Sequence, residues 1–504
     1  MKTIISIVIV SFVFIQMQGQ SSNPPVVSKD YKAWTSSNEL NRWLLKLADI
    51  YTVEMRLYRG SKEVDMPVVV IPAVQANPLS VMIIAEQHGD EPSGMEACNL
   101  LISELLNGEL PTWTDSVEWI IVPMVNAEGH ESKLRKKNNG ADLNRDHLIL
   151  SQPETRYVHY MYNRYMPDVF IDMHEYPFES SDNAQPFEKR IQQQVGCVTN
   201  INLKDKELDA MAHEFILPHV AQIMAKSKVS FSEYLIGSGH TGKNVRRSTV
   251  DIDDARQGVG AMGRSLSFIV EGLNGKNRND SIFYRTQAQY KCLVSLVEGC
   301  QLKKDSIKKL VQLNRDNAVF NPMSTVSIQM DHFLPKANEN EQSLKMSYWS
   351  IKSNRDTILD LGSLYLSEVN TVKSIEPPLG YWISKKDERL VNWVQAHEAG
   401  IFPFSNGTNK NEKGNPEGTM IQCIVAMPEW QTQTLEGMHV PSWKPEWMEM
   451  KSPTTKDYIY VSTQTINGLR WIMALEPESM FSLTRYPEFE YLRYQYPILR
   501  VTSR

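Results

Sequence analysis

The stretch Ser80-Val81-Met82-Ile83-Ile84-Ala85 is apolar almost throughout, and it is followed closely by His88-Gly89-Asp90-Glu91. Apolar residues without alternation are typical of a strand that is covered on both faces of a sheet. Three further runs have this character: Trp119–Val122, Val169–Met173 and Leu266–Val270. Helical patterns at Pro92–Leu106 and Leu208–Lys226 separate some of these runs. Because the strands alternate with helices, the sequence predicts an α/β fold.

The pattern of the sequence changes after about residue 314, from strands alternating with helices to mostly β-like runs. A helical pattern at Tyr290–Leu313 closes the α/β unit, and shorter β-like runs such as Thr325–Met330 and Thr419–Met427 follow it. We therefore predict an α/β domain over residues 20–313 and a smaller, mostly β domain over residues 314–504. A chain of 504 residues has room for two or three domains, at roughly 100–200 residues each.

Composition excludes several classes of protein. With 53 basic and 59 acidic residues, the chain has a formal net charge of −6, whereas nucleic-acid binders usually carry a basic surplus. We therefore expect no nucleic-acid partner. Five cysteines are too few for a disulfide scaffold. Cys98 and Cys292 lie in helical patterns among apolar neighbours, where we expect buried thiols, and no specific disulfide pair is predicted.

The first residues resemble a secretory signal peptide. Met1-Lys2 precedes an uncharged, largely apolar run from Thr3 to Met17, after which small and polar residues begin. This pattern predicts cleavage near Gly19. The run is shorter than the roughly 20 residues that a membrane span requires, and no later stretch is long and apolar enough. We expect a signal peptide at residues 1–19 and a secreted or periplasmic mature chain without a membrane span.

Polar side chains that suit a metal follow three of the predicted strands. His88 and Glu91 are three residues apart, but chance supplies about one such spacing in a chain with 11 His and 59 acidic residues. Their position is more informative, because His174 and Glu271 also stand directly after apolar runs. Ligands bind at the carboxyl ends of the strands in open α/β sheets. Two histidines and one glutamate are a ligand set of catalytic zinc sites.

The ordered series of HGDE, R-x8-N-R, DMHE and a strand-end Glu resembles the zinc carboxypeptidase family between about Ala33 and Leu313. The resemblance implies an α/β fold with a mixed, mostly parallel sheet flanked by helices, and one Zn²⁺ per chain. It implies the following roles: His88, Glu91 and His174 as zinc ligands, Asp142 as the partner of a ligand histidine, Glu271 as general base and acid, Arg135 as the group that polarises the scissile carbonyl, and Asn144 with Arg145 as the clamp for a free C-terminal carboxylate.

These roles are consistent with the chemistry of the side chains. A carboxylate can take a proton from water and pass it to a leaving amine, and a guanidinium binds a carboxylate through two parallel hydrogen bonds. The predicted function is a secreted zinc metallopeptidase that hydrolyses C-terminal peptide bonds of a peptide substrate. An alternative is a zinc-dependent amidohydrolase of the same fold that acts on cell-wall peptides or N-acyl amino acids.

One segment departs from the pattern of the family. The family carries a substrate-closing Tyr some twenty residues before the catalytic Glu, whereas the segment Arg246–Arg256 contains no Tyr. Tyr234 lies further back along the chain and could replace it by another loop path. Arg256 stands near the specificity position of the family, where a cation would favour an acidic substrate side chain. A salt bridge from Arg256 to Asp253 or Asp254 is the alternative interpretation.

Overall fold

The computed structural model describes most of the chain. The described residues are 23–50, 54–59, 65–176, 187–189, 193–197, 206–237, 244–246, 250–274, 281–321, 323–333, 345–350, 352–366, 368–400, 419–426, 431–435, 438–451, 453 and 456–503. The signal peptide predicted at residues 1–19 lies outside them, as do residues 247–249 of the segment that lacks a Tyr.

One mixed sheet organises the first part of the chain. The strands of this part are β1 (Glu54–Arg59), β2 (Asp65–Ile71), β3 (Leu79–Ala85), β4 (Val117–Val122), β5 (Val169–Tyr176), β6 (Phe187–Lys189), β7 (Gln193–Cys197), β8 (Phe231–Glu233), β9 (Val245–Arg246) and β10 (Leu266–Leu273). The large sheet has the order β1-β2-β4-β3-β5-β10-β7-β8. Its four central strands, β4, β3, β5 and β10, are mutually parallel. The predicted α/β fold with a mixed, mostly parallel sheet is confirmed.

Helices cover both faces of this sheet. They are α1 (Pro25–Ser28), α2 (Ser37–Ile50), α3 (Ser93–Leu106), α4 (Pro111–Ser116), α5 (Ala127–Ser132), α6 (Pro153–Tyr165), α7 (Lys206–Ala210), α8 (Leu217–Lys226), α9 (Ile282–Leu302) and α10 (Lys304–Phe320), with π-helical segments at Met211–Ile216 and Arg256–Ala261. Val81 and Ile83 of β3 belong to a core shared with α3 and α9, whereas Met82 and Ile84 belong to a core shared with α6. Every residue of β3 is buried, so the unbroken apolar run reflects a strand that packs on both faces.

The later part of the chain is richer in strands. They are β11 (Val326–Phe333), β12 (Lys345–Ser350), β13 (Arg355–Asp360), β14 (Tyr365–Leu366), β15 (Glu368–Ile375), β16 (Gly380–Ser384), β17 (Thr419–Ala426), β18 (Thr432–Leu435), β19 (Met438–Pro441), β20 (Glu446–Met450), β21 (Tyr458–Ser462) and β22 (Ile498–Ser503), with helices α11 (Glu388–Glu398) and α12 (Gly468–Leu475). A five-stranded sheet of order β20-β17-β22-β16-β21 is its largest unit. Helix α10 runs through the boundary that we predict between residues 313 and 314.

The two parts of the chain share sheets and a core. Strand β6 pairs with β12, and β9 pairs with β14. One apolar core joins Leu148, Ile149, Val250 and Ile252 of the first part to the later part, through the following buried residues among others: Tyr381, Trp393, Trp471, Leu475 and Phe481. The later part therefore packs directly on two loops of the α/β unit.

Two further observations concern thiols and membrane spans. Cys98 and Cys292 are buried free thiols, as expected, and Cys300 and Cys423 are also unpaired. Within the part of the chain that the structure describes, we find no helix with the length and apolar character needed to cross a bilayer.

Candidate active site

The turn after β3, which carries the polar side chains of the site, contains a residue with a left-handed backbone conformation. Glu86 has a φ of 56°, a left-handed conformation that a residue with a side chain adopts at a cost. Its carboxylate is buried and lies 2.5 Å from His130 Nδ1 on α5. Gly89 touches the same helix, because a Cβ built there would lie 2.0 Å from the carbonyl carbon of Gly129. The HGDE turn is thus pressed against α5, and position 89 has no room for a side chain.

Strands β5 and β10 bring the other two candidates to the same edge of the sheet. His174 pairs with Glu271 in the parallel register of these neighbouring strands. Side chains of paired residues project to the same face of a sheet. Glu91 is fixed beside them, since its Oε2 accepts a hydrogen bond from the backbone N–H of Glu175 at 3.0 Å. Segments that are far apart in the sequence thus converge on one place.

Three potential ligand atoms converge among His88, Glu91 and His174. His88 Nδ1 lies 2.8 Å from Glu91 Oε1, and His174 Nδ1 lies 2.9 Å from Glu91 Oε2. The two Nδ1 atoms are 3.2 Å apart. All three side chains are buried, and they form a group that could hold a metal ion. The structure therefore brings together the three residues that the sequence predicts as ligands.

Carboxylates behind the two imidazoles orient them. His88 Nε2 lies 3.2 Å from Asp142 Oδ1, and His174 Nε2 lies 3.0 Å from Asp172 Oδ1. When each Nε2–H donates to its carboxylate, each Nδ1 is left with a lone pair that points toward Glu91. Asp142 is the partner that the sequence predicts. Asp172 is not in the predicted set, although it stands two residues before His174 in the DMHE motif.

This arrangement fits a zinc ion. Two lone pairs and a carboxylate facing one another repel, and a cation among them removes the conflict. Two ligands on tetrahedral zinc are separated by about 3.4 Å at ordinary bond lengths, close to the separations of the Nδ1 and carboxylate atoms. Burial disfavours the charged form of His88 and by itself would lower its pKa. The carboxylates of Glu91 and Asp142 outweigh this effect, so the pKa of His88 is raised. The pKa of His174 is also raised, through Asp172 and Glu91. The centre therefore favours positive charge.

A buried network joins the metal ligands to the predicted carboxylate clamp. Gln87 Nε2 donates to Asp172 Oδ1 at 2.9 Å and to Asn144 Oδ1 at 3.1 Å. Gln87 Oε1 lies 2.6 Å from His147 Nε2 and accepts a hydrogen bond from its N–H group. Burial lowers the pKa of His147 to about 3, so this imidazole is neutral. Sequence reasoning missed Gln87 and His147, although Gln87 is adjacent to a predicted ligand.

Glu271 has one carboxylate oxygen without a hydrogen-bond partner at this edge of the sheet, among the described residues. Its side chain is buried, and its Oε2 meets no hydrogen-bond donor among the described residues. Burial raises the pKa of Glu271 to about 7, against the opposing attraction of His174. A carboxyl group whose pKa lies near neutrality is suited to take and return a proton. Its position, burial and pKa agree with the role predicted for it.

Arg135 lies at the exposed side of the centre. Its Nη1 is 3.2 Å from Glu91 Oε1 and its Nε is 3.3 Å from Asp142 Oδ2. The side chain keeps 43% of its surface exposed, so a substrate can approach it. Its guanidinium thus lies beside the candidate ligands, where a donor to a carbonyl oxygen would be needed.

Asn144 and Arg145 occupy the 3-10 turn that follows Asp142. Asn144 is buried, and its Oδ1 accepts hydrogen bonds from Gln87 and from the backbone N–H of Ala255 at 2.9 Å. Arg145 is half exposed, with Nε 3.8 Å from Asp251 Oδ2. Nearby acidic residues, with Asp251 foremost, outweigh the effect of burial and raise the pKa of Arg145. Of the predicted clamp, Arg145 is therefore the accessible member.

The candidate specificity residue is enclosed. Arg256 is buried, and its Nη2 lies 3.8 Å from Asp254 Oδ2, so the alternative interpretation of a salt bridge agrees with the structure. Its guanidinium carbon also lies 5.9 Å from the ring centroid of Tyr234. Burial raises the pKa of Tyr234, and the charge of Glu271 adds to this effect. The substrate roles of Arg256 and Tyr234 stay predictions.

Comparisons with known proteins find similarity to carboxypeptidases. The model of the family "Zinc carboxypeptidase" matches residues 40–196. Carboxypeptidase 2 of Trichophyton rubrum is 22% identical over 217 residues, which are 42% of this chain and 38% of that protein. A probable carboxypeptidase 2 of Arthroderma benhamiae is 28% identical over 102 residues, 19% of each protein. The chain therefore spans well under half the length of these curated relatives.

The chain is also similar to solved structures of metallo-carboxypeptidases. A metallo-carboxypeptidase from Pseudomonas aeruginosa, solved with (2-guanidinoethylmercapto)succinic acid, is 17% identical with a TM-score of 0.43, over 55% of this chain and 71% of that one. A metallo-carboxypeptidase from Burkholderia cenocepacia is also 17% identical, with a TM-score of 0.40 over 53% of this chain and 70% of that one.

Proposed function

We propose that the protein is a secreted, zinc-dependent peptidase that hydrolyses C-terminal peptide bonds, a proposal supported by the match of residues 40–196 to the zinc carboxypeptidase family model. One observation carries the proposal. Three buried ligand atoms from His88, Glu91 and His174 converge. Glu271, which pairs with His174 from the neighbouring strand β10, has one carboxylate oxygen without a hydrogen-bond partner among the described residues. A metal ligand set beside a free base is the arrangement that hydrolysis requires.

Each residue of the candidate active site would have a separate role in hydrolysis. A zinc ion held by His88, Glu91 and His174 would supply an activated water and polarise a carbonyl group. Glu271 would take a proton on its free carboxylate oxygen and return it to the leaving amine. Arg135 would donate hydrogen bonds to the oxygen that gains negative charge, a contribution of the order of 10²–10³ in rate for one such donor.

The turn that contains Asn144 and Arg145 would orient the substrate. The half-exposed guanidinium of Arg145 has the geometry to bind a free C-terminal carboxylate. Asp251 is the competing anion at 3.8 Å, so a substrate carboxylate would replace or share this partner. Asn144 would act indirectly, by holding the turn in place through Gln87 and Ala255.

The decisive experiment combines metal analysis with a peptide library. We expect one zinc per purified chain, activity that a chelator abolishes, and products that mass spectrometry shows to be shortened by single C-terminal residues. Glu271→Gln should keep the zinc and lose at least about 10²-fold in turnover. A Glu271→Gln protein with full activity would contradict the assignment of the base.

Replacing Arg145 separates a carboxypeptidase from an amidohydrolase of the same fold. Arg145→Ala should weaken the binding of peptides with a free C-terminal carboxylate by about tenfold or more and leave amidated peptides unaffected. Equal effects on both kinds of peptide would favour the amidohydrolase that acts on cell-wall peptides or N-acyl amino acids.

Secretion is the part of the proposal that rests on sequence alone. The apolar run from Thr3 to Met17 after Lys2 supports export with cleavage near Gly19. N-terminal sequencing of the protein recovered outside the cytoplasm should find a mature chain that begins close to residue 20. Recovery of the intact chain from the cytoplasm alone would contradict export.

A further inference from the structure

The 250–258 loop, which we define to include the start of the π-helical segment Arg256–Ala261, lies between the candidate substrate site and the later part of the chain. On one side, Ala255 donates its backbone N–H to Asn144 Oδ1 at 2.9 Å, and Asp251 faces Arg145. On the other side, Tyr486 Oη donates to the carboxylate of Asp253, at 2.7 Å from Oδ1 and 2.9 Å from Oδ2. The loop therefore contacts both regions through the alternate residues Asp251, Asp253 and Ala255.

Asp253 is the residue through which these contacts are linked. Besides the bond from Tyr486, its backbone N–H donates to Asp251 Oδ1 at 2.9 Å. Its carbonyl oxygen accepts from the backbone N–H of His147 at 3.1 Å. The side chain of Asp253 is thus bound to the later part of the chain, while its backbone fixes both the anion beside Arg145 and the residue two positions after Arg145.

Other contacts hold the 250–258 loop, and the loop that contains Arg145 and Leu148, against the later part of the chain. Trp393 Nε1 donates to the carbonyl oxygen of Leu148 at 2.8 Å. The guanidinium of Arg470 is buried and donates to the carbonyl oxygen of Gly258 at 2.6 Å. These bonds anchor the ends of the loops, whereas the bond of Tyr486 reaches the middle of the 250–258 loop, beside Asp251 and Asp254.

From this placement we infer that Tyr486 is a positioning residue of the substrate site, which sets the distance between Arg145 and its competing anion Asp251 by holding Asp253. The expected change in KM rests on the proposed function. The expected change in the hydrogen exchange of residues 250–258 can be measured without activity. The inference also gives the later part of the chain a defined role, because this part then holds in place the loop beside the residue that would bind a substrate carboxylate.

The test removes one hydroxyl and has a close control within the chain. Tyr486→Phe deletes the bond to Asp253 and keeps the ring. Tyr491→Phe deletes an equivalent bond, from Tyr491 Oη to Asp387 Oδ2 at 2.7 Å, in the same stretch but at the cap of α11. We expect Tyr486→Phe to raise KM for peptides with a free carboxylate by about tenfold, with kcat within about threefold and KM for amidated peptides unchanged.

Hydrogen exchange supplies the readout that does not depend on turnover. In the zinc-loaded protein, amides of residues 250–258 should exchange faster in Tyr486→Phe than in Tyr491→Phe, whereas amides of β3 should not differ. Equal exchange and equal kinetics in the two variants would overturn the inference, and so would a KM change of the same size on amidated peptides. If Tyr486→Phe does not fold, Asp253→Asn, which weakens the same bond, takes its place.

The inference and the proposed function can fail separately. A wild-type protein that hydrolyses no peptide would contradict the proposed function, and hydrogen exchange of residues 250–258 would then decide the inference. A wild-type protein that removes C-terminal residues, together with a Tyr486→Phe variant that matches Tyr491→Phe in KM and exchange, would contradict the inference alone.

Discussion

In His88 and His174, the Nε2 atom faces a carboxylate behind the ring and the Nδ1 atom faces Glu91 at the candidate metal site. The carboxylate of Asp172 is buried and serves both His174 and Gln87. Because Gln87 also holds Asn144, a single acidic side chain supports a candidate ligand and, through one amide, the turn that carries Arg145. Asp172 thus couples metal binding to the geometry of the substrate side.

Asp172→Asn should weaken zinc binding by about 10–100-fold, the usual effect of removing a carboxylate behind a ligand histidine. Asparagine has nearly the same volume but no charge with which to fix the Nε2–H of His174. Competition with a fluorescent chelator measures the change in affinity. Asp168→Asn is the matched control, since Asp168 precedes the same strand and binds Lys308 away from the centre. Equal zinc affinities in the two variants would contradict the role of Asp172.

Glu271 gives a prediction about pH for the zinc-free protein. Its pKa is raised from 4.5 to about 7 because burial disfavours its charged form. Between these two values the unfolded chain has lost a proton that the folded chain keeps, so the stability of the folded state falls as pH rises. Above the higher pKa this loss of folding stability has reached its full size. Its upper limit is about 3 kcal/mol at 1.36 kcal/mol per pH unit.

Glu271→Gln should remove this loss. The variant should be more stable than the wild type at pH 8 in the absence of zinc, and the difference should shrink as pH falls toward 4.5. Urea unfolding at several pH values measures it. Glu109→Gln, at an exposed position, controls for the removal of one negative charge. A difference that does not change with pH would mean that burial of a charge is not its cause.

At the scale of the element, the HGDE turn depends on close packing against α5. A methyl group at position 89 would lie 2.0 Å from the carbonyl carbon of Gly129 and 2.2 Å from the backbone nitrogen of His130. Backbone atoms on a helix cannot yield by that amount. Gly89→Ala should therefore destabilise the protein by at least about 2 kcal/mol and lower its zinc content.

Gly108→Ala separates this steric effect from backbone strain. Gly108 has a φ of +72°, but a methyl group placed on its Cα would meet no atom within 4 Å, so its replacement should cost only about 1 kcal/mol. Thermal or urea unfolding and metal analysis of both variants provide the comparison. A Gly89→Ala protein as stable as Gly108→Ala would show that α5 can move away from the turn.

The elements also show which features the sequence could predict. The buried strands and the polar residues after them were recognisable because an apolar run and its end are local properties of the chain. The break between α9 and α10 was not, since Lys303 interrupts a pattern of Leu, Val and Lys that continues on both sides. A single helix over Tyr290–Leu313 is therefore wrong, and the structure has two helices.

Partners that lie far apart in the sequence were beyond local patterns. Asp172 sits inside an apolar strand, and nothing in its neighbours indicates that Gln87, 85 residues earlier, binds it. The resemblance to a family supplied Asp142, because that residue belongs to a motif. Tyr486 and Asp253 are 233 residues apart, and only the packing of the two parts of the chain brings them together.

At the scale of the whole molecule, the two parts of the chain share one apolar core in addition to the cores on the faces of the α/β sheet. The core that contains Trp393, Trp471 and Phe481 also contains Val250 and Ile252, which flank Asp251 on the substrate side. Buried apolar surface contributes about 25 cal/mol per Å², so removal of the later part would expose a large unfavourable face. The buried guanidinium of Arg470 and the ring nitrogen of Trp393 add hydrogen bonds across the same contact.

This shared core predicts how a shortened chain will behave. A protein that ends at Phe320, the last residue of α10, would leave Leu148, Ile149, Val250 and Ile252 in water, together with the unpaired edges of β6 and β9. We expect such a chain to aggregate, or to lack the cooperative unfolding transition and zinc binding of the full chain. Calorimetry of the full chain should show one cooperative transition, because its parts cannot unfold without exposing the common core. A soluble fragment that binds zinc and unfolds cooperatively would instead mean that the α/β part is stable alone, and that the later part contributes only to the substrate side.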